Sequence, residues 1–395
     1  MSRRPIARSA DLSRLLADGY HVTVRHGHLV VSDVPYVNES REVRRGTLVM
    51  PLTLANDVTV NPVEHTTHFI GEYPCDQHGA RLGAIVNSSG AFELATGLVA
   101  QHYFSAKPPK GKYDDYYEKV ATYGAILSGP ASVLELGAVA NPGGFVPSSD
   151  EGDSVFHYLD TASPRAEITM ITAKLERRKV VIIGLGGTGG YVLDQVTKTP
   201  VEEIHLYDGD LFHQHNAFRA PGAASGEVLD AQPFKVDYFA GIYAKMRRGV
   251  QPHSHYVDAT NIEEIRDADF VFLCIDDGDA KALIVERLEQ FGVAFIDVGM
   301  GIYAQDGKLG GVVRVTTSTP TKRNHIRERG LISFANPDGE DDYNRNIQVA
   351  DLNCLNAVLA VITWKKLWGF YVDLERERHS TYTVDTNEMT SDESE

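Results

Sequence analysis

Two textures of apolar and polar positions divide the chain. Up to about residue 150, short apolar runs alternate with turn signals, as in HVTVRHGHLVVSDVPYV (21–37), GTLVMPLTL (46–54) and HTTHFIGEYP (65–74). Runs of this length and composition predict β-strands. Helical spacing occurs only at ADLSRLLADG (10–19) and DDYYEKVATYGAIL (114–127). The stretch NPGGFVPSSDEGDS (141–154), dense in Gly, Pro, Ser and Asp, reads as a linker.

From about residue 165 the pattern becomes strand–helix alternation. Residues 166–177 suit a lead-in helix, and KVVIIGLGG (179–187) is a buried strand running into a glycine turn. Helices are expected at GGYVLDQVTKT (189–199), PFKVDYFAGIYAKMR (233–247) and DAKALIVERLEQFG (279–292). Strands are expected at EEIHLYDGD (202–210), VQPHSHYVDA (250–259), DFVFLCIDD (269–277) and AFIDVGMGI (294–302). Such alternation predicts a Rossmann-like, doubly wound, mostly parallel α/β sheet. GIYAQDGKLGGVVRVTT (301–317) adds antiparallel strands at its far edge, and VADLNCLNAVLAVITWKKLWGFY (349–371) a long helix. The expected organisation is thus a smaller β-rich α+β accessory domain (1–150), an α/β domain (165–380) and an acidic disordered tail (381–395).

Composition narrows the partners. The formal charge of -16 opposes general affinity for nucleic acid or an anionic membrane. No stretch reaches the roughly 18 to 20 apolar residues of a membrane helix, and no apolar segment follows the basic N-terminus as a secretory signal requires. Cys75, Cys274 and Cys354 lie far apart and give no disulfide framework, which predicts a reducing, cytoplasmic setting. The chain has no CxxC pair, so a four-cysteine zinc site is excluded.

The chemistry gathers around Gly184-Leu-Gly186-Gly187-Thr-Gly189, which follows an apolar strand and opens a helix. Glycines let the backbone turn tightly against phosphate, and the helix N-terminus offers free N–H groups and a positive dipole end. Asp208, at the end of the next strand, is placed to accept bonds from ribose hydroxyls. Asp210, Asn216, Arg219 and Lys235 follow. An amide and two cations beyond an adenosine site suit a bent triphosphate better than a dinucleotide. Asp276 and Asp277 supply carboxylates at the same sheet edge, the hard oxygen ligands that hold Mg²⁺ together with phosphates.

In this order the motifs resemble the E1-like superfamily of ThiF, MoeB and the ubiquitin-activating enzymes, over roughly the last 230 residues. The resemblance implies that Gly184, Gly186, Gly187 and Gly189 form the nucleotide loop, with Asp208 and Asp210 as its D-x-D. It implies that Asp208 contacts ribose, Asn216 orients the triphosphate, Arg219 and Lys235 bind phosphate, and Asp276 holds Mg²⁺ through ATP. Arg165 takes the place of the arginine that reaches into a partner subunit's site. The expected activity is adenylation, with Mg·ATP, of the C-terminal carboxylate of a ubiquitin-like protein ending in glycine. A homodimer, an E2-like acceptor and a bacterial conjugation pathway follow from the same likeness.

Three departures bear on what comes after adenylation. The glutamine that usually follows N-x-x-R is replaced by Ala220-Pro221, and Asp277 stands where Asn is common. The crossover (316–346), which usually carries a catalytic cysteine, has none. Acyl acceptors on this chain would then be Cys354, within an apolar helix, or the hydroxyls of Ser318, Thr319 and Ser333, with His325 nearby. His65, His68, Cys75 and His78 have the residue types of a zinc site. However, i and i+3 on a strand point to opposite faces, so a structural role is preferred. The rival readings are a nicotinamide-dependent oxidoreductase on the same turn and a non-catalytic nucleotide-binding scaffold.

Overall fold

The computed structural model describes residues 3–144, 154–334 and 347–392. The chain falls into two compact units, Met1–Ala173 and Lys174–Glu395. The linker stretch lies mostly outside the described residues, as does the second half of the crossover.

The first unit opens with helices α1 (Arg3–Arg8) and α2 (Ala10–Ala17). Strands β1 (His21–Arg25), β2 (His28–Val37) and β3 (Val43–Pro51) follow, then a two-strand flap, β4 (Leu54–Ala55) and β5 (Val58–Thr59). Next come β6 (Thr66–Ile70), β7 (Val86–Ala95), β8 (Leu98–Ser105) and helix α3 (Tyr116–Leu134). Six strands pair antiparallel in the order β1-β2-β3-β6-β8-β7. Helix α3 starts where the Asp115 carboxylate accepts from the Glu118 N–H, and it packs over β2. Two short helices, α4 (Ala162–Arg165) and α5 (Thr169–Ala173), close the unit.

The second unit is an eight-stranded sheet. It runs β9 (Lys179–Ile183), α6 (Gly187–Val196), β10 (Glu203–Tyr207), α7 (Gln214–Ala217), α8 (Gly226–Ala231), α9 (Lys235–Tyr243) and β11 (Val250–His253). A 3-10 turn (Ile262–Ile265) leads to β12 (Phe270–Leu273), α10 (Gly278–Phe291), β13 (Phe295–Gln305) and β14 (Lys308–Ser318). Then come α11 (His325–Glu328), α12 (Ala350–Leu367), β15 (His379–Thr383) and β16 (Glu388–Asp392). The strand order is β11-β10-β9-β12-β13-β14-β15-β16, parallel through β13 and antiparallel beyond it. Order reverses between β9 and β12, the crevice where such sheets take ligands.

Every residue of β9 is buried because both faces of the sheet are covered. Val180 and Ile182 join Phe270, Phe272 and Trp364 in one core, while Val181 and Ile183 join Val271, Leu273, Ile284 and Leu288 in another. This alternation is the period of two that a strand imposes.

One expectation is corrected here. Residues 381–392 are not a disordered tail: with His379 and Ser380 they form the β15–β16 hairpin on the free edge of β14. Acidic composition masked a β-favouring run, His-Ser-Thr-Tyr-Thr, whose backbone finds partners along β14. Asn387, at φ +53°, takes the left-handed position in the turn.

Candidate functional site

The glycine loop is held from below. Gly184 sits at φ +89°, and a Cβ there would strike the carbonyl of Cys274, just past the neighbouring strand β12. Gly189 lies against the carbonyl of Gly184, so any side chain would push the helix off the turn. The Gly184 N–H donates to the Tyr207 carbonyl at 2.8 Å. Space beside Gly186 is open. From the helix side, Thr188 Oγ1 donates to Asn353 Oδ1 at 2.9 Å, which ties the loop to α12.

Asp208 is buried at the end of β10. Its carboxylate accepts from the Leu185 N–H at 2.6 Å and from the Asp210 N–H at 2.9 Å, so one side chain fastens the glycine loop to the D-x-D turn. Lys235, at the start of α9, is also buried. Its Nζ donates to Asp210 at 2.5 Å and lies 3.6 Å from Asp208. The Tyr256 hydroxyl donates to the other Asp210 oxygen. Burial pushes the Asp210 carboxyl up, but the hydrogen bonds from Lys235 and Tyr256 outweigh it and hold the pKa below the usual range.

Asn216 is buried and accepts from the His213 N–H at 2.9 Å, closing a reciprocal cap on α7. That cap aims the residues after it. Arg219 is half-buried, and among the described residues its Nε has no hydrogen-bond partner. Burial lowers its pKa while the charge of Asp276 opposes the shift. A guanidinium in that state is suited to an anion. Asp276 is exposed just past β12, whereas Asp277 is spent as the N-cap of α10, accepting from the Ala280 N–H at 3.0 Å.

The structure therefore brings Gly184, Gly186, Gly187, Gly189, Asp208, Asp210, Asn216, Arg219, Lys235 and Asp276 to the carboxyl ends of β9, β10 and β12 in one unit. Arg165 belongs to the first unit, at the end of α4, where it lines a hollow with Pro51, Thr53 and Lys119. Among the other candidates, Ser318 and Thr319 are buried and Ser333 is exposed. Cys354 lies part-buried on α12, its thiol pushed up by burial and by Asp194. Burial also raises Cys75 and Cys274. In the first unit His65 bonds Ser105, His68 packs against Phe92 and Tyr103, and Cys75 donates to the Tyr73 carbonyl.

Sequence reading missed Asn353, Tyr256 and a fully buried Asp297, which holds Lys281 at 3.0 Å and Arg314 at 2.7 Å beneath the end of β12. A carboxylate inside the apolar run Phe-Ile-Asp-Val was the available signal for the last of these.

A family model described as the ThiF family matches residues 164–364, and it covers half the chain. The chain belongs to the ThiF family. A second model, a domain of unknown function (DUF6791), matches residues 10–161. No curated protein matches the sequence. Among solved structures, the chain is similar to E. coli MccB with ATP, at 19% identity and TM-score 0.45, covering 58% of this chain and 67% of that one. E. coli MccB with AMPCPP and MccA gives 18% identity and TM-score 0.45, covering 59% and 71%. PaaA gives 16% identity and TM-score 0.43, covering 57% and 75%. The identification rests on the family match. ThiF-type domains are E1-like and nucleotide-binding, and among the described residues no helix is long and apolar enough to cross a membrane.

Proposed function

We propose that this ThiF-family chain adenylates the C-terminal carboxylate of a protein with ATP, most specifically a ubiquitin-like protein ending in glycine. One observation carries the reading: a buried Lys235 stands 3.6 Å from Asp208, which holds the glycine loop, and a half-buried Arg219 feels the charge of Asp276 at the end of the neighbouring strand. A hydride-transferring dinucleotide enzyme has no use for that pair, whereas a triphosphate does.

The reaction joins a carboxylate oxygen to the α-phosphorus and breaks its bond to the β-phosphate oxygen, releasing pyrophosphate. The helix N-terminus behind Gly186 and the Arg219 guanidinium stabilise the charge that develops on the phosphoryl oxygens. Lys235 enters by exchanging its Asp210 contact for a phosphate oxygen, and Asp208 keeps the loop in register meanwhile. An exposed carboxylate such as Asp276 fits Mg²⁺ held chiefly by phosphates, and that ion would supply charge neutralisation.

The raised thiols of Cys75, Cys274 and Cys354 argue against a thioester on this chain. We accordingly favour direct transfer from the adenylate to a nucleophile on an E2-like partner, with the chain acting as a homodimer in a bacterial conjugation pathway. ATP–pyrophosphate exchange with and without small proteins ending in glycine tests the reading. Exchange that appears only with such a protein supports it, and ATP binding without exchange for any of them would shift the reading to a scaffold.

A further inference from the structure

Outside the nucleotide site, one group of ligand-type side chains stands apart. His253 ends β11 and His255 lies two residues beyond it, with the two ring centroids 5.8 Å apart. Glu264, on the 3-10 turn, comes up against them. One potential ligand atom from each of the three lies within 4.8 Å of the other two.

We propose that His253, His255 and Glu264 form a binding site for a divalent transition-metal ion of the zinc class. Two nitrogens and one carboxylate oxygen are the donor set such an ion takes when a fourth position is left to water. Tetrahedral ligands about 2.0–2.1 Å from zinc stand about 3.3 Å apart. His255 Nε2 and Glu264 already stand at 3.4 Å. Both are part-exposed, which leaves an ion a way in and lets the side chains close on it.

The surroundings favour binding over a simple ion pair. His253 Nε2 is joined to His205 Nδ1 at 2.9 Å, and His205 Nε2 to Glu203 at 3.1 Å. This carboxylate–histidine chain is what orients a metal-binding imidazole and leaves its other nitrogen for the ion. The Tyr207 ring stacks on His253 with centroids 4.2 Å apart and planes 6° apart, fixing the imidazole plane. No residue of the adenylation reading is used, so the two stand or fall separately.

The test uses the full chain, stripped with a chelator, dialysed against Zn²⁺ alone and assayed for retained metal. About one equivalent of zinc per chain is expected, with a rise in melting temperature that follows the zinc concentration. His255→Ala and Glu264→Gln alter part-exposed residues and should fold normally while losing the equivalent and the melting shift. His205→Ala should weaken binding about 10- to 100-fold without abolishing it. Zinc uptake no greater than that of the doubly substituted His255→Ala/Glu264→Gln chain, or uptake unchanged by those substitutions, overturns the proposal.

Discussion

At the scale of single residues, the site separates side chains that hold the loop from those at its exposed rim. Asp208 spends both oxygens on backbone N–H groups, whereas Asp276 lies exposed beside Arg219. Asp276→Ala should therefore abolish pyrophosphate exchange and leave the circular dichroism spectrum and melting temperature unchanged; wild-type exchange would remove the magnesium assignment. Cys354→Ala should leave exchange intact and cost about 1 to 3 kcal/mol of stability as a truncation in a packed helix, measured by urea unfolding. A covalent acyl-enzyme lost in that variant alone would show that a raised thiol had nonetheless been activated. Residue identities and spacing pointed to Gly184, Asp208 and Asp276 because each follows a strand that the sequence marks clearly, whereas Asn216, Arg219 and Lys235 lie on or after helices and were read from their residue types. Asn353 was not legible: a polar residue on an apolar helix face announces burial, but only the fold reveals that it meets Thr188.

At the scale of elements, regular periodicity decided what could be read. Strands β9, β10, β12 and β13 are apolar runs between turn signals, and they occur where such runs predict. The expected helix at 166–177 shrinks to Thr169–Ala173, since it shows no buried side chain that would reward a longer one. The hairpin β15–β16 escaped notice because its residues are polar on both faces, so no pattern distinguished strand from coil. Asp277 illustrates how an element constrains a motif position. It caps α10 through the Ala280 N–H, so Asp277→Ala should lower stability by about 1 kcal/mol without reducing exchange activity. Denaturation midpoints and exchange rates of the same preparation check both halves of that statement.

At the scale of the whole molecule, two units with separate cores need not respond alike to acid. In the first unit, burial pushes His28 and His68 down to about 4; charges on His28 and Lys119 add to the effect at His68. An unfolded chain binds protons at these positions below about pH 6.5, and the folded unit refuses them until about pH 4. The stability they contribute is thus complete above about pH 6.5 and is lost as the pH falls toward 4, on the order of 3 kcal/mol per histidine at most. Melting of the first unit should move to lower temperature across that window, and His68→Leu should flatten the dependence. A melting temperature that rose on acidification would contradict the burial of these rings.

The second unit has a different vulnerability, set by the bond between Thr188 and Asn353 across 165 positions of sequence. Loops that depend on so distant a partner close late, because the entropy of the intervening chain must be overcome first. A fragment ending before α12 would carry the complete glycine motif and yet lack the brace that shapes it. Under the proposed function, nucleotide affinity would therefore report on finished folding: a nascent or clipped chain would present the motif without the brace that shapes it.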